Sequence, residues 1–260
     1  ITHDGYPTSL LAQALNNLHK IMTINDVFRA SDFLIIGHRG AAGLAPENTL
    51  ASFRLAIELG CPMLELDVQR IYSNDGTPRL CVFHDDRVDR TTNGKGLVKD
   101  YTVEDLIKLR CANDQPIPML EDVLDLIRTY PKVALNIELK GQQTAELAAE
   151  LITKHTYNPI LVSSFHLEEL AKFRRIDKTT AVAPLFARWR KDIAAVAQKL
   201  DATAINIAAT SITQNRMTGL LEGNLPVAAY TVNSASQAAT LKQYGVSGIF
   251  TDYPDKFVNI

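Results

Sequence analysis

Cysteine is scarce in this chain. There are three among 260 residues, Cys61, Cys81 and Cys111, and no C-x-x-C pair. An odd number without paired spacing gives no disulfide framework, so they read as buried free thiols, which fits a reducing compartment. Long apolar runs are absent too: none approaches the roughly 18–20 residues of a membrane span. Near the N-terminus Asn16, Asn17, His19 and Lys20 interrupt any apolar core of the kind a secretory leader carries. Positive charge is not in excess, with 27 Lys and Arg against 29 Asp and Glu and a net charge of -2. That excludes a nucleic-acid binder relying on a basic stripe, but leaves room for a small anionic substrate held by a few local charges. With 46% hydrophobic residues and no repeat, the chain is neither disordered nor fibrous. The expectation is a cytoplasmic globular protein with no membrane span and no nucleic-acid partner, long enough to bury a sizeable core.

Two regions differ in pattern. In residues 1–30, Leu10, Leu11, Ala14, Leu15, Leu18 and Ile21 recur at helical spacing and predict a helical extension that packs on the rest. From residue 31 to 260, short apolar runs alternate with helical segments. Predicted strands are Phe33–Ile36, Met63–Val68, Val133–Leu139, Ile160–Phe165, Ala181–Phe186, Ala204–Ala208, Val227–Val232 and Gly248–Thr251. Asp75-Gly76 marks a hairpin turn into a further extended arm at Leu80–Phe83. Thr102 with Asp105 reads as a capping box for a helix to Leu109. Strands alternating with helices imply a parallel sheet, and about eight such units imply an α/β fold, a closed (β/α)8 TIM barrel.

In a barrel of this kind chemistry sits where strands end. Glu65 and Asp67 are two apart on one strand, so they share the inner face, with Leu64, Leu66 and Val68 on the other. Glu138 repeats the geometry on a neighbouring strand. Three carboxylates with no cysteine make a hard-oxygen site suited to a divalent cation, Mg2+ or Ca2+, with Mn2+ also compatible. His38 and His84 flank the acidic pair, and two imidazoles can supply one general base and one general acid. Arg39 and Lys140 add fixed positive charge suited to a phosphate oxyanion. The glycines of Gly37-His38-Arg39-Gly40 are three apart rather than two, which rules out a dinucleotide-binding turn. Asn93-Gly94-Lys95-Gly96 lacks the hydroxyl residue of a P-loop.

Several stretches resemble the glycerophosphodiester phosphodiesterase family: GHRGAAGLAPENTLASF (37–53), LELDV (64–68), FHDDRVDRTTNGKG (83–96), IPMLEDVL (117–124) and LNIELK (135–140). SSF (163–165), YTVN (230–233) and GIFTDYP (248–254) fit as well. The resemblance implies a barrel with a small insertion, about 85–116, after the second strand, and metal-dependent hydrolysis of a small-molecule glycerophosphodiester to sn-glycerol 3-phosphate and an alcohol. It implies His38 and His84 as the acid/base pair, Glu65, Asp67 and Glu138 as metal ligands, and Arg39 and Lys140 as phosphate contacts. Glu47 would support the site from the first loop, and Tyr230, where a Trp is common, would wall the alcohol side. Residues 69–74 form a longer link than usual before the hairpin turn. Two alternatives accompany this reading. A lysophospholipase D-like enzyme needs an apolar rim, for which no long apolar loop is present. An inactive binding barrel would be expected to have lost a motif residue, and none is lost.

Overall fold

The computed structural model describes residues 22–155 and 158–257. Eight strands run parallel in a closed ring: β1 (Leu34–Gly37), β2 (Met63–Tyr72), β6 (Ala134–Leu139), β7 (Ile160–Ser164), β8 (Ala181–Phe186), β9 (Ile205–Ala208), β10 (Val227–Tyr230) and β11 (Gly248–Thr251). Pairing of β1 with both β11 and β2 closes the cylinder. Helices Leu50–Glu58, Leu120–Arg128, Ala145–His155, Leu167–Ile176, Ile193–Lys199, Gln214–Leu221 and Ala235–Gln243 connect the staves. The fold is therefore the (β/α)8 barrel that the alternation predicted.

Side-chain alternation along each strand sorts the interior from the wall. Leu64, Leu66, Val68, Leu135, Ile137 and Leu139 face outward into a core shared with Phe53, Leu120, Leu124, Leu170 and Phe173. Leu34, Ile36, Met63, Ala134, Leu161, Ala183, Ala204, Ala228 and Phe250 face inward. The alanines leave room at the N-terminal mouth, and a short helix, Ile24–Ala30, fills it with Ile24, Val27 and Phe28. Thr23 caps this helix with a full capping box: its Oγ1 accepts from Asp26 N–H, and the Asp26 carboxylate accepts from Thr23 N–H. The extension predicted at Leu10–Ile21 lies outside the described residues.

The hairpin arm is β3 (Pro78–Val82), antiparallel to β2. The link at 69–74 is largely strand: β2 continues to Tyr72, paired with Pro78, and the turn closes at Ser73–Thr77 with Gly76 at a φ of 84°. The following residues carry two short strands, β4 (Arg110–Cys111) and β5 (Gln115–Pro116), and their own small core of Val88, Val98, Leu106, Cys111, Ile117 and Met119 against Ile71, Cys81 and Phe83. The helix predicted from Thr102 to Leu109 is one turn only, Val103–Leu106. Thr102 Oγ1 reaches the Asp105 carboxylate at 3.4 Å rather than a backbone N–H, so the capping box is not made. All three cysteines are free and buried. Among the described residues no helix is long and apolar enough to cross a membrane.

Candidate functional site

The inward set changes character toward the C-terminal mouth. Met63 gives way to Glu65 and Asp67 on β2, and Ala134 to Asn136 and Glu138 on β6. Register pairs Asp67 with Glu138. All three carboxylates are buried, and one oxygen from each lies within 4.8 Å of the others. Burial, then the charge of Asp67, pushes the Glu138 carboxyl up to about 7, against the pull of Lys140. Burial likewise holds Glu65 well above the usual carboxylate range, with Asp67 and Glu138 adding to the effect. Taken alone, the cluster carries more negative charge than its surroundings neutralise, which is the condition for holding a divalent cation.

Two cations lean on the cluster. Lys140 Nζ lies 3.3 Å from Glu138 Oε1 and 3.6 Å from Asp67 Oδ1. Arg39 Nε lies 3.3 Å from Asp67 Oδ2, while Arg39 Nη1 donates to Glu47 Oε1 at 2.7 Å. Burial works to lower both pKa values, but the carboxylates around them outweigh it and raise both. Arg39 sits in the left-handed region (φ 50°), which turns its own N–H onto Glu65 Oε2 at 2.8 Å. The next residue must be glycine: a Cβ on Gly40 would meet the Ser52 backbone carbonyl carbon at 2.6 Å.

The two histidines arrive by different routes. His38 extends β1, and its N–H donates to Thr251 O at 2.9 Å. That register places it beside Asp252, whose Oδ1 lies 2.6 Å from His38 Nδ1. His38 Nε2 then faces Glu65 Oε2 at 4.0 Å. His84 comes from the hairpin arm: Phe83 N–H donates to Asp67 O at 3.0 Å and carries His84 to the acidic pair. Its Nδ1 lies 2.7 Å from Asp85 Oδ1. Burial lowers the His84 pKa, against the raising effect of Asp67. Each imidazole is thus anchored by an aspartate on Nδ1, leaving Nε2 for chemistry.

Sequence reasoning missed these anchors and the groups behind them. Asn233 Nδ2 donates to Asp252 Oδ2 at 2.6 Å, while Asn233 Oδ1 accepts from Asp252 N–H and Thr251 Oγ1. Burial works to raise Asp252, and the bonds from His38 and Asn233 outweigh it and lower it. Arg90 donates to both Asp85 and Glu47, and its bonds hold Asp85 well below the usual range. Asn48 Nδ2 donates to Asp67 Oδ2 at 2.9 Å. Asp85, Arg90, Asn48 and Asp252 all lie inside stretches the sequence singles out, but only their neighbours carried a chemical signal. The other described histidines, His155 and His166, lie away from the cluster.

A cavity of about 130 Å³ opens over the carboxylates. One side is charged, with His38, Arg39, Glu65, His84 and Glu138. The other is apolar, with Phe165, Leu185, Tyr230 and Phe250. A negatively charged group with a carbon chain attached matches this division.

Comparisons with known proteins agree on one family. The profile of the glycerophosphoryl diester phosphodiesterase family matches residues 38–256. A glycerophosphodiester phosphodiesterase of Bacillus altitudinis is 35% identical over 241 residues, covering 87% of this chain and 97% of that one. One from Caldanaerobacter subterraneus is 30% identical over 240 residues, covering 87% and 97%. Among solved structures, an Oleispira antarctica phosphodiesterase in complex with the product sn-glycerol-3-phosphate superposes with a TM-score of 0.79 at 30% identity, covering 86% of this chain and 94% of that chain. The profile covers the barrel from the end of its first strand and contains every residue of the site, so this chain belongs to the glycerophosphoryl diester phosphodiesterase family.

Proposed function

We propose that this protein hydrolyses glycerophosphodiesters to sn-glycerol 3-phosphate and an alcohol, with a divalent cation among Glu65, Asp67 and Glu138 and with His38 and His84 moving the protons. The observation that carries this reading is the convergence of two aspartate-anchored imidazoles on one buried three-carboxylate cluster. The donor set fits a hard cation: oxygen ligands only, with burial and the neighbouring carboxylates raising Glu65 and Glu138 against the opposing pull of Arg39 and Lys140. When bound, a divalent ion supplies positive charge to a phosphoryl oxygen.

The chain's own residues do the rest. Arg39 and Lys140 face the phosphate and oppose the charge that develops on its oxygens. Glu47 and Asp67 hold the Arg39 guanidinium in place. One imidazole takes the proton from the attacking hydroxyl, and the other gives one to the departing alkoxide. The attacker is either water or the neighbouring hydroxyl of the substrate's glycerol. The product complex of the Oleispira protein supports the same substrate class.

The test is turnover of glycerophosphocholine, read by sn-glycerol 3-phosphate release. EDTA should abolish it and a divalent ion restore it. His38→Ala and His84→Ala should each lower kcat by at least about 10²-fold with unchanged circular dichroism. Near-normal turnover in either variant removes that histidine from its role.

A further inference from the structure

Tyr230 is the last residue of β10 and points into the barrel, two positions beyond Ala228. Its ring stands edge-on to Phe165 (centroids 5.9 Å apart, 87°) and to Phe250 (6.3 Å, 86°). These contacts fix the direction of the phenol. Its Oη is buried and has no hydrogen-bond partner among the described residues, although the residue lines the cavity over the carboxylates. Native structures partner nearly all buried polar groups, so such an atom points to a group supplied from outside the protein. Burial first, and the charge of Glu138 second, keep the phenol protonated, so it offers a donor. The walls beside it, Phe165, Leu185 and Phe250, suit C–H surface.

We propose that the Tyr230 hydroxyl is a specificity-determining donor to a free hydroxyl on the substrate's carbon chain, so that the aromatic side of the cavity selects phosphate esters of polyols over those of plain alkyl alcohols. This rests on the phosphodiesterase reading and extends it. The half of the diester bearing the hydroxyl lies against Tyr230. The other alcohol leaves past Phe165, which is 41% exposed at the rim.

Binding of sn-glycerol 3-phosphate and of n-propyl phosphate to the Mg2+-loaded wild type and Tyr230→Phe, measured by calorimetry, tests the proposal without requiring turnover. The wild type should bind the glycerol ester about tenfold more tightly, the range of one hydrogen bond. Y230F should lose that preference while its affinity for propyl phosphate stays within about twofold. Equal losses for both ligands, an intact preference in Y230F, or no binding of either ligand overturns the proposal. If Y230F does not fold, 2-hydroxypropyl and 3-hydroxypropyl phosphate on the wild type replace it. One of them should recover the full preference, and equality with propyl phosphate overturns the proposal. Intact binding without hydrolysis of glycerophosphocholine refutes the activity reading and leaves the Tyr230 contact standing.

Discussion

Asp252→Asn exchanges one heavy atom and should invert the proton positions on His38. Asn233 Oδ1 is occupied by Asp252 N–H and Thr251 Oγ1, so only its Nδ2 faces the residue-252 side chain, as a donor at 2.6 Å. An asparagine at 252 must therefore turn its oxygen to Asn233 and its NH2 to His38 Nδ1. That nitrogen, which meets a carboxylate at 2.6 Å in the native site, would have to accept instead. The ring proton moves to Nε2, and an imidazole in that tautomer can neither take a proton at Nε2 nor, with an NH2 facing Nδ1, form the imidazolium that gives one. The expected loss in kcat is about 10²–10⁴-fold, or about 3–5 kcal/mol of barrier. The KM for glycerophosphocholine should change less than about threefold, because no substrate contact is removed. The double variant Asn233→Asp with Asp252→Asn offers a decisive control. A carboxylate at 233 accepts from the amide at 252, whose oxygen then returns to His38 Nδ1–H and restores the tautomer. The assay is steady-state kinetics of D252N, D252A and the double variant, with thermal melts to confirm folding. Activity of D252N within about threefold of wild type refutes the reasoning, as does a double variant no better than D252N.

Other outcomes follow from the same geometry. Arg90→Ala should lower kcat/KM by about 10–100-fold while moving stability by under about 1 kcal/mol, since its guanidinium is half-exposed and its ion pairs are screened. A matched fall in melting temperature would mark Arg90 as structural instead. Without a cation, Glu138 is raised from 4.5 to about 7 in the fold, so the folded state holds a proton that the unfolded chain releases across that window. Glu138's contribution to stability in EDTA is then fully present below about pH 4.5 and is lost as pH rises past about 7, and Glu138→Gln reduces the slope in that window. A slope unchanged in that variant counts against it. Phe28→Ala, in the helix closing the far mouth, should cost about 3–5 kcal/mol of stability and leave kcat unchanged below the melting transition. Denaturant titration beside kinetics checks both halves.

The sequence carried the barrel because its signal is local and repeated. A period of two placed Glu65 and Asp67 on one face and the leucines on the other, and the structure keeps that division. The same arithmetic reached Glu138 and, through the loops at strand ends, His38, Arg39 and Lys140. What was illegible depends on partners far along the chain. His38 and Asp252 are 214 positions apart, and Arg90 and Glu47 are 43 apart. An aspartate or arginine in a polar loop shows no periodicity to mark it. The errors have local causes: Gln69 and Arg70 hid the continuation of β2 through Ile71 and Tyr72, whose pairing with β3 decides the matter. Thr102 and Asp105 had the spacing of a cap but bond each other.

The helix at Ile24–Ala30 makes the cylinder a vessel with a sealed base. Reactant and both products must share a single doorway. Whatever lies deepest enters first and departs last, so the outer alcohol leaves before the phosphate ester behind it. Accumulated sn-glycerol 3-phosphate then competes directly with fresh diester for the emptied chamber. The rate of clearing that ester, rather than bond cleavage, would set the throughput wherever it builds up.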